Sequence, residues 1–375
     1  MSNIQTSPRV NGFVHKPFGE VASVLEESLA NGKDLGASVC ITHRGETVVD
    51  LWGGYTDQAR LVPWQGDTLV NVYSCTKPMT TLAVLWVYDQ GLLDFDAPVA
   101  AYWPEFAANG KESVLVRHVM SHTAGLPEWS DPIDVEDLYD WQTATSRLAD
   151  QAPAWTPGTE SGYHSLTQGY LIGEVIRRIT GKTIGTIFRE EIAVPLGADF
   201  YIGLPESEDY RVADLVLDPE AAKREETLAM TMGPLDISLP GTTAWRRSEI
   251  PAAGGVGNAR SLAEVQSLLA NKGVAKGKRI LSEAACARVL EPQIEGTDRI
   301  LNMNIRFGMG YALGQGLMPN SNTVYWGGYG GSLVIVDMDA QTTFAYAMNQ
   351  MVPAIAGDGR AFDLAFAMWT AMGLV

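Results

Sequence analysis

The chain has few cysteines and none of the usual signs of a membrane or nucleic-acid protein. Cys40, Cys75 and Cys286 are an odd, scattered set with no pair at metal-ligand spacing, which argues against a disulfide scaffold or a thiolate metal site. Free thiols fit a reducing compartment, and the expected location is cytoplasmic. No run of ~18 apolar residues is present, so no membrane span is expected. The polar stretch Met1 to Val10 lacks the apolar core of a signal peptide. No repeat of fixed period argues for a solenoid or propeller. Basic excess is also missing: the formal net charge is −17, which repels phosphate backbones and makes nucleic acid an unexpected partner. The mixed-sign stretch Glu220 to Glu226 reads as a solvated helix face or loop.

Several catalytic signatures are absent too. There is no G-x-S-x-G nucleophile elbow and no H-E-x-x-H. The five histidines, His15, His43, His118, His122 and His164, form no zinc pattern. His118 and His122 lie four apart, but a structural hydrogen bond at His122 is the simpler expectation. Gly254-Gly255-Val256-Gly257 lacks the Lys-Ser/Thr of a phosphate-binding loop. No cofactor and no metal are expected.

What is present is ordinary globular composition, 46% hydrophobic and 19% charged, over a length sufficient for two core-bearing units. β-rich runs occur near both ends: Ala37 to His43 and Thr47 to Trp52 as a hairpin, then Thr323 to Trp326, Ser332 to Met338 and Thr343 to Met348. Helical patterns span Phe18 to Ala30, Lys77 to Gln90, Val114 to Ser121, Ser165 to Thr180, Ser261 to Ala270 and Ala361 to Met372. Ser165 and Gln168 have the spacing of a capping box. The expected fold is α+β: an antiparallel sheet built from both chain ends and flanked by helices, with a mainly helical second lobe. The expected division is 1–75 with 248–375 for the sheet unit, and 76–247 for the inserted lobe.

Three segments carry chemistry. Ser74-Cys75-Thr76-Lys77 is the only S-x-x-K in the chain. On a helix start, Ser74 and Lys77 share a face. An amine near the positive end of the helix should have a lowered pKa and can take the serine proton. Tyr163-His164-Ser165 follows a turn-rich stretch. A phenol beside a cationic lysine should have a lowered pKa and can act as acid or base. Trp326-Gly327-Gly328 follows one strand and precedes another, and a backbone N–H on such an edge can polarise a carbonyl. Trp129, Trp155 and Trp326 are candidates to line a substrate pocket.

In this order, Ser74-x-x-Lys77, Tyr163-x-Ser165 and Trp326-Gly327-Gly328 resemble the serine β-lactamase and penicillin-binding-protein superfamily. The nearest branch is the family VIII carboxylesterases, related to class C β-lactamases. Ser121-His122-Thr123-Ala124-Gly125-Leu126 and the stretch Glu191 to Gly197 add matches, and the likeness runs from about Val21 onward. The resemblance implies a β-lactamase-like fold and an acyl-enzyme on Ser74, with Lys77 and Tyr163 sharing the base role. It also implies an oxyanion site from the N–H groups of Ser74 and Tyr329, and substrate contacts at Ser165, Trp326, Gly327 and Gly328. Ser165 stands where a β-lactamase of this branch has asparagine, and Trp326-Gly327-Gly328 replaces Lys-Thr-Gly. Losing that lysine and asparagine favours a small neutral ester over an anionic β-lactam. A carboxylesterase is therefore expected, with weak β-lactam hydrolysis as a side activity. An acyltransferase, a true β-lactamase, a D-amino-acid peptidase and a non-catalytic binding protein on the same scaffold are the alternatives. Competing alcohols, a chromogenic cephalosporin and acylation of Ser74 discriminate among them.

Overall fold

The structure, a computed structural model, describes residues 9–217, 238–314, 316–355 and 357–375. The stretch Glu220 to Glu226 lies outside them, as do the first eight residues. Nine strands form one antiparallel sheet: β1 (Val10–Val14), β2 (Gly36–His43), β3 (Glu46–Gly54), β4 (Ile294–Thr297), β5 (Asn304–Phe307), β6 (Ala312–Leu313), β7 (Thr323–Gly327), β8 (Leu333–Asp337) and β9 (Thr342–Met348). Their order is β1-β3-β2-β9-β8-β7-β6-β5-β4. The β2–β3 hairpin turns at Arg44 and Gly45, with φ of 52° and 84°, the left-handed backbone that a tight two-residue loop needs. β2 then pairs with β9, Ala37 opposite Met348 and His43 opposite Thr342. The two ends of the chain thus meet in the middle of the sheet.

The helices include α1 (Gly19–Ala30), α2 (Thr76–Asp89), α3 (Val116–Met120), α4 (Trp141–Asp150), α5 (Thr167–Thr180), α6 (Ala259–Ala270) and α7 (Gly359–Ala371). Side chains alternate between the faces of the sheet with a period of two. Val39, Ile41, Ile335, Phe344 and Tyr346 face Leu25 and Leu29 of α1 and Leu364 and Met368 of α7. Cys40, Val334, Val336, Ala345 and Ala347 join the core that holds Leu262, Val265 and Leu269 of α6. Both faces are covered, so the central strands are buried almost throughout.

α2 is buried on almost every side from Thr76 to Val87, the mark of a central helix. Just before it, Val70–Asn71 pairs with Gly255–Gly257, which also pairs with Phe200–Ile202. This small sheet clamps the chain leading into the Ser74 turn.

The terminal strands and the helical patterns appear where the sequence places them, within a few residues. β1, β4, β5 and β6 were not anticipated. β1 and β4 run along the sheet edges with many exposed side chains, so neither has a strong apolar pattern; β5 and β6 are only four and two residues long, too short to show one. α4 was also missed; it starts at Asp140, whose carboxylate accepts from the N–H groups of Gln142 and Thr143. One expectation is overturned. Ser165 does not cap α5: the cap position is Leu166, with no side-chain cap bond. The Ser165 carbonyl is taken by Lys77 Nζ at 2.7 Å, and Gln168 Nε2 donates to Met120 O at 3.2 Å. The Gln168 half of the expected box is thus engaged elsewhere.

Candidate active site

Tyr73–Cys75 forms one 3-10 turn between the small sheet and α2. Tyr73 has φ +43°, a costly backbone for a bulky residue, of order 1–3 kcal/mol. The turn is over-determined by its surroundings. Thr76 Oγ1 donates to Tyr73 O at 2.5 Å and accepts from Gly255 N at 2.8 Å. Ser332 Oγ donates to Val72 O at 3.0 Å, and Cys75 Sγ donates to Trp326 O at 3.6 Å. The Tyr73 and Tyr329 rings meet edge to face, 5.5 Å between centroids. The segment after β7 therefore lies directly against the Ser74 turn.

Ser74, Lys77 and Tyr163 come together, all three buried. Ser74 Oγ is 2.7 Å from Tyr163 Oη and 3.2 Å from Lys77 Nζ. Nζ also donates to Ser165 O at 2.7 Å and Ala252 O at 3.1 Å, and it lies 4.7 Å from the Tyr163 ring centroid. Two of its valences thus point at carbonyls and the third at Ser74. Burial drives the Lys77 pKa well below its usual value. With its proton shed, the amine would keep two N–H groups for the carbonyls and aim its lone pair at the serine hydroxyl. A lowered pKa was expected there from the helix end, but the cause of the lowering is desolvation.

The expectation for Tyr163 is reversed. Burial raises its pKa, outweighing the downward pull of its hydrogen bonds with Ser74 and the Trp326 side chain. Tyr163 is a protonated phenol, set up to donate.

The sequence did not show what holds this phenol. His122, fully buried with φ +61°, packs its ring 5.0 Å from Tyr163 and stacks on Trp326 at 5.4 Å. Its Nδ1 accepts from His164 N at 3.1 Å, the structural hydrogen bond expected there. His164 Nε2 accepts from Leu126 N at 3.0 Å, and its Nδ1 donates to Gly162 O. Burial keeps both imidazoles neutral, His122 well below its usual pKa and His164 lowered to about 4. The buried Asp298 accepts from Tyr163 N at 3.0 Å. It belongs to no motif, and only the folded chain brings it 135 residues back to Tyr163.

Trp326 and Gly327 line a small apolar cavity of about 40 Å³ with Tyr163, Leu301, Met303 and Ile305. Trp129 and Trp155 do not line it. Trp129 donates to Ala144 O and packs on Tyr170, and Trp155 packs under Gly162 and edge-on to His164. A larger cavity, about 640 Å³, lies between α1 and α7 and contains none of these residues. Ser165 contributes its carbonyl to Lys77. Gly328 sits where a β-carbon would collide with Val72 O, so the residue after Gly327 must be glycine for the strand end to touch the turn. Among the described residues, no group of three or more His, Cys, Asp or Glu side chains is placed to hold a metal.

A serine held between a buried lysine and a buried tyrosine, at the junction of an antiparallel sheet and a helical segment, is the arrangement expected of the serine β-lactamase superfamily. Comparison with known proteins agrees. Residues 21–367 match the Beta-lactamase family model, and the chain belongs to that family. It is 34% identical to the Esterase/beta-lactamase LipL of Mycobacterium tuberculosis (strain ATCC 25618 / H37Rv), over 94% of this chain and 86% of that one. It superposes on the crystal structure of a family VIII carboxylesterase with a TM-score of 0.92 and 39% identity, covering 97% of this chain and 100% of that one. A penicillin-binding protein homologue from Caulobacter crescentus gives 0.89 and 35%, over 97% and 100%.

Proposed function

We propose that this protein hydrolyses small carboxylic esters through an acyl-enzyme on Ser74. The observation that carries the reading is the double contact of Ser74 Oγ, with the buried Lys77 amine at 3.2 Å and the Tyr163 hydroxyl at 2.7 Å. Similarity to an esterase/β-lactamase and to a family VIII carboxylesterase supports it. Lys77 takes the Ser74 proton as Oγ attacks the ester carbonyl. The N–H groups of Ser74 and Tyr329 hold the oxyanion. On collapse, Tyr163 gives its proton to the leaving alkoxide, and the Lys77 ammonium replaces that proton. Water then attacks the acyl-enzyme by the same route in reverse. The two groups titrate as a pair. Trp326 at the Lys-Thr-Gly position, beside an apolar cavity, disfavours an anionic β-lactam, so lactam hydrolysis is a minor activity.

No helix among the described residues is long and apolar enough to cross a membrane. We place the protein in the cytoplasm on its three buried, unpaired thiols. The division into a sheet unit (1–75 and 248–375) and an inserted lobe (76–247) is likewise our reading; limited proteolysis that cuts first near 76 or 247 would support it.

Intact-mass spectrometry tests the central claim. Wild type incubated with an aryl butyrate should carry one butyryl group at Ser74, and Ser74→Ala none. An aryl ester should turn over faster than a chromogenic cephalosporin. Acylation at another serine, or preference for the cephalosporin, would refute the reading.

A further inference from the structure

The loop between β4 and β5 begins at Asp298, a fully buried carboxylate that the catalytic scheme does not use. One oxygen, Oδ1, accepts three backbone N–H groups: Tyr163 at 3.0 Å, Ile300 at 3.0 Å and Leu301 at 2.9 Å. Its other oxygen, Oδ2, is buried with no hydrogen-bond partner among the described residues. The same loop is fastened to the tyrosine segment a second time, by Arg299 N donating to Ser161 O at 2.9 Å, and at the surface by the Arg299–Glu160 ion pair at 3.0 Å. It closes on itself through Asp298 N and Met303 O at 3.0 Å. Leu301 and Met303 of this loop line the apolar cavity together with Ile305 of β5, Tyr163 and Trp326.

We propose that Asp298 is a positioning residue that holds Tyr163 and the wall of the apolar cavity as one unit, so that the alcohol group of the ester is sensed by the same carboxylate that aims the phenol. The inference rests on the esterase reading above. Tyr163 protonates the leaving oxygen, so the group bonded to that oxygen lies on the Tyr163 side, and the cavity is the apolar space there. It takes the alkyl group of a small, uncharged alcohol. A shared oxygen with three donors is sensitive to displacement: moving Leu301 outward pulls on the acceptor that fixes Tyr163 N. A buried carboxylate with one oxygen unsatisfied is costly; a role in aiming Tyr163 accounts for its place here.

The test uses wild type, Asp298→Ala and Asp298→Asn, with kcat and KM measured by pH-stat titration on methyl, butyl and cyclohexyl butyrates. Melting temperature is recorded alongside to confirm folding. Loss of the anchor misplaces the phenol, and Asp298→Ala should lower kcat about 10-fold or more on every ester. It should also flatten the wild-type preference among alcohols. Asp298→Asn keeps an acceptor at Oδ1 and should recover most of both. A folded Asp298→Ala with wild-type kcat overturns the proposal. So does a lower kcat with the alcohol preference intact, or an Asp298→Asn no better than alanine. Where Asp298→Ala does not fold, Asp298→Ser is held to the same criteria. Wild type inactive on all esters and unacylated at Ser74 would refute the esterase reading; active wild type with an equally active Asp298→Ala refutes this inference alone.

Discussion

The contact between the end of β7 and the Ser74 turn can be pried apart by one methyl group. A β-carbon on Gly328 would stand 2.2 Å from Val72 O and 2.2 Å from Ser332 Oγ, whereas ordinary contact begins at 3.4 Å. The serine hydroxyl can rotate away. The Val72 carbonyl is backbone, two residues before the nucleophile, and cannot. Gly328→Ala must therefore separate the strand end from the turn by about 1 Å, a displacement that in catalytic geometry costs on the order of 10²-fold. Tyr329, the proposed second oxyanion donor, is the next residue, and removal of one such donor costs about 10²–10³ in kcat. The expected loss in kcat is thus about 10²-fold, with overpacking lowering stability by ~1–3 kcal/mol. The assays are aryl-ester turnover, the rate of Ser74 labelling by a serine-directed phosphonate, and a urea titration. Gly19→Ala is the control: nothing lies within 4 Å of its added carbon at the start of α1, and kcat should not change. A folded Gly328→Ala with kcat within ~3-fold of wild type would show that this contact does not set the oxyanion site.

Three further outcomes follow from the site. Tyr163→Phe removes the 2.7 Å partner of Ser74 and should lower kcat by at least ~10²-fold; near-wild-type turnover would take Tyr163 out of the mechanism. The acid limb of the kcat/KM profile should reflect loss of the neutral Lys77 amine, whose pKa burial lowers. Lys77→Arg, permanently charged, should be inactive from pH 6 to pH 9, and measurable turnover at any point would contradict the assignment of the base. His164 has its folded pKa lowered from 6.5 to about 4, so between those values the unfolded chain binds a proton that the fold does not. Stability is then complete above pH 6.5 and should fall by up to about 3 kcal/mol toward pH 4. Urea midpoints across that range should show the slope in wild type, and His164→Gln should flatten it; an identical slope in both would exclude His164 as its source.

Much of this was readable before folding. Ser74 and Lys77 share one helical turn, so their contact is local and their spacing declares it. The central strands are apolar over several consecutive residues because both faces of the sheet are covered, and β1 and β4 escaped notice because edges bear exposed side chains. Ser165 misled because its side chain suits a cap while its carbonyl is the functional group. The titration of Tyr163 was misjudged because proximity to lysine suggested a lowered pKa, whereas burial of the phenol raises it. Asp298 lay beyond reach, being fixed by a contact 135 residues long and by no local pattern.

The pairing of β2 with β9 has a consequence for how the enzyme comes into being. Thr42 and Thr343, bonded across those strands, are 301 positions apart, and β7, which braces the serine turn, lies in the last sixth of the chain. Contacts of such long range form late, after loop-closure entropy has been overcome. On the ribosome, the serine and lysine emerge long before the strand that completes their surroundings. A nascent chain should therefore carry its nucleophile in an unassembled state and gain activity only when the C-terminal strands are released. Chains stalled before about residue 323 should resist phosphonate labelling at Ser74, with labelling appearing only once β7 to β9 have left the exit tunnel.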